Sequence, residues 1–140
     1  MEQQATWILS RSGKEISGCC VQAATRDFAR FGVFVLNGAR VGGQSIVPDG
    51  WLNEATTERT GIDRPGRGYG YQWWTYTDGT FAARGIFGQG IFIDPKRKIV
   101  IASNADWGGG ATDRVASDAR EAFYRAVQKA VDDEASGAVQ

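Results

Sequence analysis

The hydrophobic positions between residues 25 and 38 recur with the spacing of an α-helix. In the stretch TRDFARFGVFVLNG an apolar side chain returns every three or four residues, at Phe28, Phe31 and Val35. Such spacing places the three side chains on one helical face. Thr25 is a suitable N-cap and Asn37-Gly38 a suitable C-terminal stop. The pattern predicts one amphipathic helix.

Shorter elements are predicted on both sides of this helix. Residues 6–20, TWILSRSGKEISGCC, have the character of two short extended pieces around the turn pair Ser12-Gly13. The stretch VPDGWLNEATTE predicts a second helix from Pro48, since proline is favoured in a first helical turn. Its inward side chains would be Trp51, Leu52 and Ala55. Residues 59–70, with four glycines, predict a loop.

Residues 69–104 have the composition of β-strands. Four segments rich in aromatic and β-branched residues follow one another: YGYQWWTY, TFAARGIF, QGIFIDP and KIVIASN. Asp78-Gly79 and Asp94-Pro95-Lys96 supply turns, so the pattern predicts an antiparallel β meander. Glycine weakens a strand unless another group must come close to its backbone. Ala83-Arg84-Gly85 and Gly88-Gln89-Gly90 therefore indicate that another group, such as a ligand or another chain, comes close to this backbone.

The last predicted element is a long amphipathic helix that begins at Thr112 and covers the sheet. Its apolar stripe is Val115, Ala119, Ala122, Phe123, Ala126, Val127, Ala130 and Val131. Acidic residues at the C-terminus of this helix, Asp132, Asp133 and Glu134, oppose the helix dipole, so we expect residues 134–140 to form a disordered tail. The order of elements indicates one α+β domain over residues 1–140, with two helices, an antiparallel meander and a covering C-terminal helix.

Composition excludes several classes of function. The 140 residues carry 16 basic and 16 acidic side chains, which gives no overall field for nucleic acid. The basic run Lys96-Arg97-Lys98 falls at a predicted turn and is expected to be a solvated hairpin tip. No apolar run is long enough to cross a membrane, and the N-terminus lacks the order of a signal peptide. We therefore expect a cytoplasmic protein.

Candidate metal and redox chemistry is sparse. The chain has no histidine, which removes the commonest general base and metal ligand. Cys19 and Cys20 are adjacent, a poor spacing for a metal site or a loop-closing disulfide, and are expected to be reduced thiols. We expect no metal and no cofactor.

Motifs for nucleotides and for acid–base chemistry are also incomplete. GRGYG from Gly66 and GIFGQG from Gly85 do not lie between a strand and an opening helix, as a dinucleotide fingerprint requires. The acids Asp63, Asp78, Asp94 and Asp106 fall in predicted turns, where turn chemistry explains them. No serine has a lysine three positions later. The residues by themselves contain no complete catalytic set.

Several blocks in their order carry a family resemblance. The runs RDFARFGVFVLNGARVGGQSIVPDGWL, YGYQWW and RGIFGQGIFIDPKRKIVIASN resemble the C-terminal third of serine β-lactamase-like hydrolases, the superfamily of class C β-lactamases, penicillin-binding proteins and esterases. The 6-aminohexanoate-dimer hydrolase branch is the most similar, and the resemblance covers about residues 5–130. It implies a partial β-lactamase/transpeptidase-like fold.

The resemblance also implies a site. In this family the first meander strand lines the active site and carries a Lys/His-x-Gly triplet, and the next amide forms half of the oxyanion hole. Ala83-Arg84-Gly85 matches the triplet, so the N–H of Ile86 would be the donor. Ala83 stands where a cation or imidazole is usual; Arg84 either supplies that charge or forms a salt bridge on the strand surface. The expected pocket wall is Tyr71, Trp73 and Gln89.

Three functions stay open at this point. The family's serine and lysine, and its Y-x-N tyrosine, lie upstream of the matching region, so the chain would be an inactive hydrolase portion that needs an N-terminal segment. Alternatively, it is a non-catalytic module for binding or self-association, for which a homodimer is expected. A third hypothesis is an independent enzyme that uses Tyr71, Arg84 and Asp106. Whether the chain is itself an enzyme is undecided by its sequence.

Overall fold

A computed structural model describes residues 2–62 and 64–137. The helices are α1 (Thr25–Leu36), α2 (Trp51–Ala55) and α3 (Arg114–Gly137), with a 3₁₀ turn at Gly110–Thr112 before α3. The strands are β1 (Thr6–Trp7), β2 (Val21–Gln22), β3 (Arg40–Val41), β4 (Gln44–Ser45), β5 (Thr60–Gly61), β6 (Arg67–Tyr69), β7 (Trp74–Tyr76), β8 (Phe81–Arg84), β9 (Gly90–Asp94) and β10 (Ile99–Ser103).

The central sheet has six antiparallel strands in the order β10-β9-β8-β7-β6-β5. Each strand pairs with its neighbour along the chain, which is a meander, and the register sets Phe81 opposite Ile93 and Arg84 opposite Gly90. Helices lie on both faces. The predicted α+β class, the meander and the covering C-terminal helix are therefore confirmed.

The sheet extends further than the sequence pattern predicted. The glycine-rich segment 59–70 contains β5 and β6 rather than only a loop, and YGYQWWTY is split between β6 and β7. Its glycines allow other groups to approach: a Cβ at Gly68 would overlap the side chain of Glu58, and one at Gly70 would overlap the carbonyl of Ala55. Asp63, expected in a turn, lies outside the described residues.

One face of the sheet packs against α1. The core on this side contains Val35, Phe81, Ile91 and Ile93, and Phe28 packs against it, whereas Phe31 is largely exposed. A Cβ at Gly32 would overlap side chains of β9 and β10. The missing side chain at this position lets α1 sit directly on the sheet.

The other face packs against α3, but not through the stripe that the sequence predicted. Val115 is 82% exposed and Phe123 is 55% exposed, and the buried residues of the helix are Ser117, Tyr124 and Gln128. The ring of Tyr124 stacks on Phe92 with centroids 4.3 Å apart. The predicted orientation of α3 is wrong: the helix buries an aromatic and polar face, and most of its apolar stripe faces outward.

Polar contacts at the β9–β10 turn explain this orientation. Gln128 donates a hydrogen bond of 2.7 Å to the buried carboxylate of Asp94. Arg97 pairs with Asp94 at 2.8 Å and donates to both carboxylate oxygens of Asp132, at 2.9 and 2.8 Å. The basic run 96–98 is therefore not merely a solvated tip, because Arg97 ties the hairpin to α3. A buried carboxylate needs such partners.

The C-terminal end of the chain differs from expectation in two places, whereas the predicted turn near the N-terminal end agrees with it. Helix α3 begins at Arg114 instead of Thr112 and extends to Gly137, so residues 134–137 of the expected disordered tail are helical. Residues 138–140 of that tail lie outside the described residues. Near the other end, β1 and β2 pair, and the Leu9–Glu15 bridge encloses the predicted Ser12-Gly13 turn.

The two cysteines form a bond that the sequence analysis did not expect. Cys19 and Cys20 are joined as a disulfide between adjacent residues, and Cys20 adopts a positive φ of 81°. The expectation of reduced thiols is therefore wrong for this structure. Sequence spacing argued only against a loop-closing bridge, and this bridge closes no loop.

The helices of the described segments are not membrane spans. None of them combines the length and the apolar character that crossing a bilayer requires.

Candidate functional site

The end of β8 and the turn that follows it form the centre of the candidate site. Gly85 donates a backbone hydrogen bond of 2.9 Å to the carbonyl of Gln89, and Phe87 accepts one of 3.0 Å from Trp107. These bonds hold the turn that carries Ile86, which is 62% exposed. Strand β8 therefore presents an exposed backbone segment at one end of the sheet.

Three glycines around this turn make room for neighbouring side chains. A Cβ would overlap Gln89 if placed at Gly85, the indole of Trp107 if placed at Gly88, and would lie 2.9 Å from the Tyr124 hydroxyl if placed at Gly90. The close approach predicted from the glycines is therefore an approach of the protein's own side chains. Gln89 also accepts a hydrogen bond of 3.2 Å from the N–H of Phe87.

The backbone amide of Ile86 has no partner among the described residues. The hydrogen bonds of residues 2–62 and 64–137 do not use its N–H. The side chain of Gln89 fills the space beside Gly85, whereas Ile86 itself is exposed. The arrangement leaves one backbone donor accessible at the position where the family resemblance places an oxyanion donor.

A cavity of about 350 Å³ lies beside this strand, on the α1 side. Four of the predicted site residues line this cavity: Ala83, Arg84, Gly85 and Gln89. Sequence reasoning missed the opposite wall, which comes from the N-terminal segment and the end of β10: Trp7, Ser17, Cys19, Cys20, Ser103 and Asn104. Only the folded chain brings these distant segments together.

This cavity contains hydroxyl groups but no activated nucleophile among its described lining residues. Ser103 donates to the carbonyl of Gly88 at 3.5 Å, and no lysine lines the cavity beside Ser103 or Ser17. A serine becomes a strong nucleophile when an adjacent base accepts its proton. The cavity therefore lacks the group that would attack, and Ile86, the candidate oxyanion donor, is not one of its lining residues but follows Gly85, which is.

The side chain of Arg84 extends towards the α3 face of the sheet, not towards the α1 face. Ala83 packs with the α1 side of the core and Ala82 with the α3 side, so alternation along β8 directs Arg84 towards α3. There its guanidinium donates to the Tyr76 hydroxyl and pairs with Glu121. Arg84 thus forms the salt bridge of the second alternative, in a largely buried position.

The tyrosine of this cluster acts as a hydrogen-bond donor. Burial raises the pKa of Tyr76 to about 12, although the charge of Arg84 acts in the opposite direction. The phenol is therefore protonated at neutral pH and donates a hydrogen bond of 3.0 Å to Glu121. A general base would need a pKa much closer to neutrality.

The remaining predicted site residues lie elsewhere. Tyr71 stacks on Trp51 with ring centroids 5.7 Å apart, and Trp73 packs edge-on against Phe81 in the α1-side core. Neither is among the residues that line the cavity. Asp106 is exposed, and the contacts of the described residues do not join it to Tyr71 or Arg84.

A second cavity of about 400 Å³ lies on the α3 side of the same strand end and shares Arg84 and Gly85 with the first. Ile86 also lines it, together with several arginines and two tryptophans. Metal ligation is not supported: in residues 2–62 and 64–137, no cluster of three or more acidic, cysteine or histidine side chains could hold an ion.

Comparisons with known proteins give partial similarities, including one to a curated relative and one to a solved structure. No family model matches the chain. The 6-aminohexanoate-dimer hydrolase of Paenarthrobacter ureafaciens is 28% identical over 76% of this chain and 30% of its own length. A solved structure from Bacillus anthracis with the provisional name 6-aminohexanoate-dimer hydrolase has a TM-score of 0.78 and 27% identity, over 95% of this chain and 35% of its own. This chain spans about a third of the length of each.

Proposed function

We propose that this chain, which is a relative of one part of a β-lactamase-like hydrolase, supplies the oxyanion-binding strand of an amide- or ester-hydrolysing site. One observation carries the proposal: the N–H of Ile86 has no partner among the described residues and directly follows Gly85, which lines both cavities at the end of β8. In such a site, the amide donates to the carbonyl oxygen as negative charge develops in the tetrahedral intermediate.

The nucleophile and its base would come from an additional, N-terminal segment. The chain has no S-x-x-K sequence and no histidine, and its cavity serines have no adjacent base. Acyl transfer requires a nucleophile, a base that takes its proton and donors for the oxyanion. The chain supplies the last of these.

A chimaeric protein tests whether this chain supplies the oxyanion donor while a separate segment supplies the nucleophile. The matching third of the Paenarthrobacter ureafaciens hydrolase is replaced by this chain, and hydrolysis of a nitrophenyl ester is measured with Ile86 intact, as Ile86→Pro and as Ile86→Ala. Proline removes the N–H, whereas alanine keeps it and controls for loss of the side chain. We expect Ile86→Pro to lower kcat by roughly 10²–10³-fold, the usual effect of losing one oxyanion donor. Equal activity of the two variants in folded chimaeras would contradict the proposal.

The isolated chain provides the complementary test. We expect no acyl-enzyme burst with a nitrophenyl ester or a chromogenic cephalosporin, and no labelling by an activated phosphonate at Ser10, Ser12, Ser17, Ser45 or Ser103. Stoichiometric labelling of one serine, abolished by its change to alanine, would favour an independent enzyme.

A second function, self-association, is favoured by the outward apolar stripe of α3. Six of its members are exposed on one side of the helix: Val115, Ala119, Ala122, Phe123, Ala126 and Ala130. Strand β10 is also the last strand of the sheet and has a free hydrogen-bonding edge among the described strands. Either an N-terminal hydrolase segment or a second copy of this chain would cover these surfaces.

A further inference from the structure

The α3-side cavity gathers positive charge that the neutral composition conceals. Five arginines from four separate elements and loops line it: Arg64, Arg67, Arg84, Arg114 and Arg120. Only two carboxylates of the described residues pair with them. Asp118 lies 3.5 Å from Arg64, and Glu121 pairs with Arg67 at 3.5 Å and with Arg84. The guanidinium groups therefore outnumber their acidic partners in the described part of the chain.

Several of their N–H groups are buried without a partner. Nε of Arg84, and Nε and Nη1 of Arg120, make no hydrogen bond within the described structure. The Arg84 side chain is only 9% exposed. Burial and the neighbouring Arg84 guanidinium lower the pKa of Arg120. Unpaired buried donors destabilise a fold, and a buried unpaired charge does so more strongly.

Tryptophans hold the two buried guanidinium groups in place. The Arg120 guanidinium lies 4.5 Å from the ring centroid of Trp107, and that of Arg84 lies 5.5 Å from Trp74. Trp107 is itself fixed, since its indole packs on Gly88 and its backbone N–H bonds to Phe87. The unused donors are therefore oriented before any ligand arrives, which lowers the entropic cost of binding.

We propose that this cavity is a binding site for the oxyanion group, carboxylate or phosphate, of a small molecule. Such a group supplies the acceptors that Arg84 and Arg120 lack, and guanidinium binds carboxylate and phosphate through paired, charge-assisted hydrogen bonds. Trp74 and Trp107 offer an apolar wall to the remainder of the ligand. This proposal does not depend on the acyl-transfer one, because it needs no nucleophile and no second polypeptide, although the cavity shares Gly85 and Ile86 with the proposed oxyanion site.

Binding is measured on the isolated chain. Inorganic phosphate and benzoate are titrated at neutral pH and low ionic strength, followed by tryptophan fluorescence and isothermal titration calorimetry, with sodium chloride at matched ionic strength as the reference. We expect saturable binding of at least one of the two anions, and competition between them if both bind. Failure of both to bind more tightly than chloride would overturn the proposal.

Substitution of Arg120 distinguishes a ligand-binding role from a structural one. Arg120→Gln should weaken binding at least about tenfold, the change that corresponds to one lost charge-assisted hydrogen bond. The matched control Arg11→Gln removes an exposed arginine of the N-terminal turn and should leave affinity unchanged.

Thermal unfolding supplies a readout that a merely structural arginine would not give. Without anion, Arg120→Gln should melt at the same or a higher temperature than the unsubstituted chain, because an unpaired buried charge has been removed. With anion, the chain that keeps Arg120 should gain more in melting temperature than Arg120→Gln, because it binds the anion more tightly. Equal anion affinity of the two proteins, or an equal gain in melting temperature, would contradict the proposal.

Discussion

Tyr124 and Phe123 are neighbours in α3 with opposite environments. Tyr124 is 1% exposed, and its ring stacks on Phe92, whereas Phe123 is largely exposed. Hydropathy alone would bury the phenylalanine. In the structure it is the tyrosine that is buried, because its ring stacks on Phe92. This burial raises the pKa of the Tyr124 hydroxyl. Tyr124 therefore belongs to the core, whereas Phe123 belongs to the exposed surface of α3.

This contrast predicts unequal effects on stability. Tyr124→Ala should lower the free energy of unfolding by about 3–5 kcal/mol, the cost of removing a large buried aromatic side chain. Phe123→Ala should change it by no more than about 0.5 kcal/mol, as for other surface substitutions. Urea titrations of the monomeric protein measure both. A greater loss for Phe123→Ala than for Tyr124→Ala would mean that the opposite face of α3 is buried.

Asp27 links stability to pH. Burial raises its pKa, but backbone N–H groups of Glu2 and Gln3 and the Arg30 side chain have a larger effect and lower it to about 2. An unfolded aspartate titrates near pH 3.9. The stabilisation by the carboxylate is thus fully present above about pH 4 and is lost as pH falls towards 2.

The corresponding measurement compares unfolding free energies of the unsubstituted chain and Asp27→Asn from pH 7 to pH 2. We expect the variant to be less stable at pH 7 and the difference to shrink below about pH 4. Asp106→Asn, at an exposed position, controls for the loss of one charge. A difference that stays constant to pH 2 would show that the Asp27 carboxylate does not have this role.

At the scale of elements, close approach decides how helices sit on the sheet. Helix α1 touches β9 and β10 at Gly32, where Val100 and Ile91 occupy the space of a Cβ. The position of helix α3 instead depends on polar contacts. The buried carboxylate of Asp94 at the end of β9 accepts a hydrogen bond from Gln128 of this helix and pairs with Arg97. The absence of a side chain at Gly32 thus positions α1 on the sheet, and the buried carboxylate of Asp94 positions α3.

Gly32→Ala therefore tests the packing of α1. Alanine favours a helix over glycine by up to about 1 kcal/mol, yet the overlap with Val100 and Ile91 should make the variant less stable by about 1–3 kcal/mol. Gly18→Ala is the control, because a Cβ there meets no atom within 4 Å. A more stable Gly32→Ala variant in urea would show that α1 does not approach the sheet at this point.

Across the whole molecule, two surfaces have no partner among the described residues and stand out: the apolar stripe of α3 and the β10 edge. Exposed apolar stripes and strand edges pair with other chains unless they are blocked. We expect a homodimer in solution at roughly tens of micromolar. Light scattering or sedimentation measures it, and a monodisperse monomer would count against self-association.

A charge on the stripe identifies the interface. Phe123→Glu should give a monomer, whereas Ala135→Glu introduces the same charge at an exposed position of α3 outside the stripe and should remain dimeric. If both variants dimerise like the unsubstituted chain, the contact lies elsewhere.

The order of α1, α2, the meander and α3, and a close approach at Gly85–Gly90, could be predicted from the amino-acid sequence alone. These features follow from short-range causes: apolar spacing, turn chemistry and glycine conformation. The buried face of α3 and the composition of the cavities depend instead on tertiary contacts. Asp94 and Phe92 determine which face of α3 is buried. Five arginines from four separate parts of the chain meet at one cavity only in the folded structure. Such outcomes depend on the free energy of satisfying buried polar groups across the fold, and a local hydrophobic pattern contains no information about those partners.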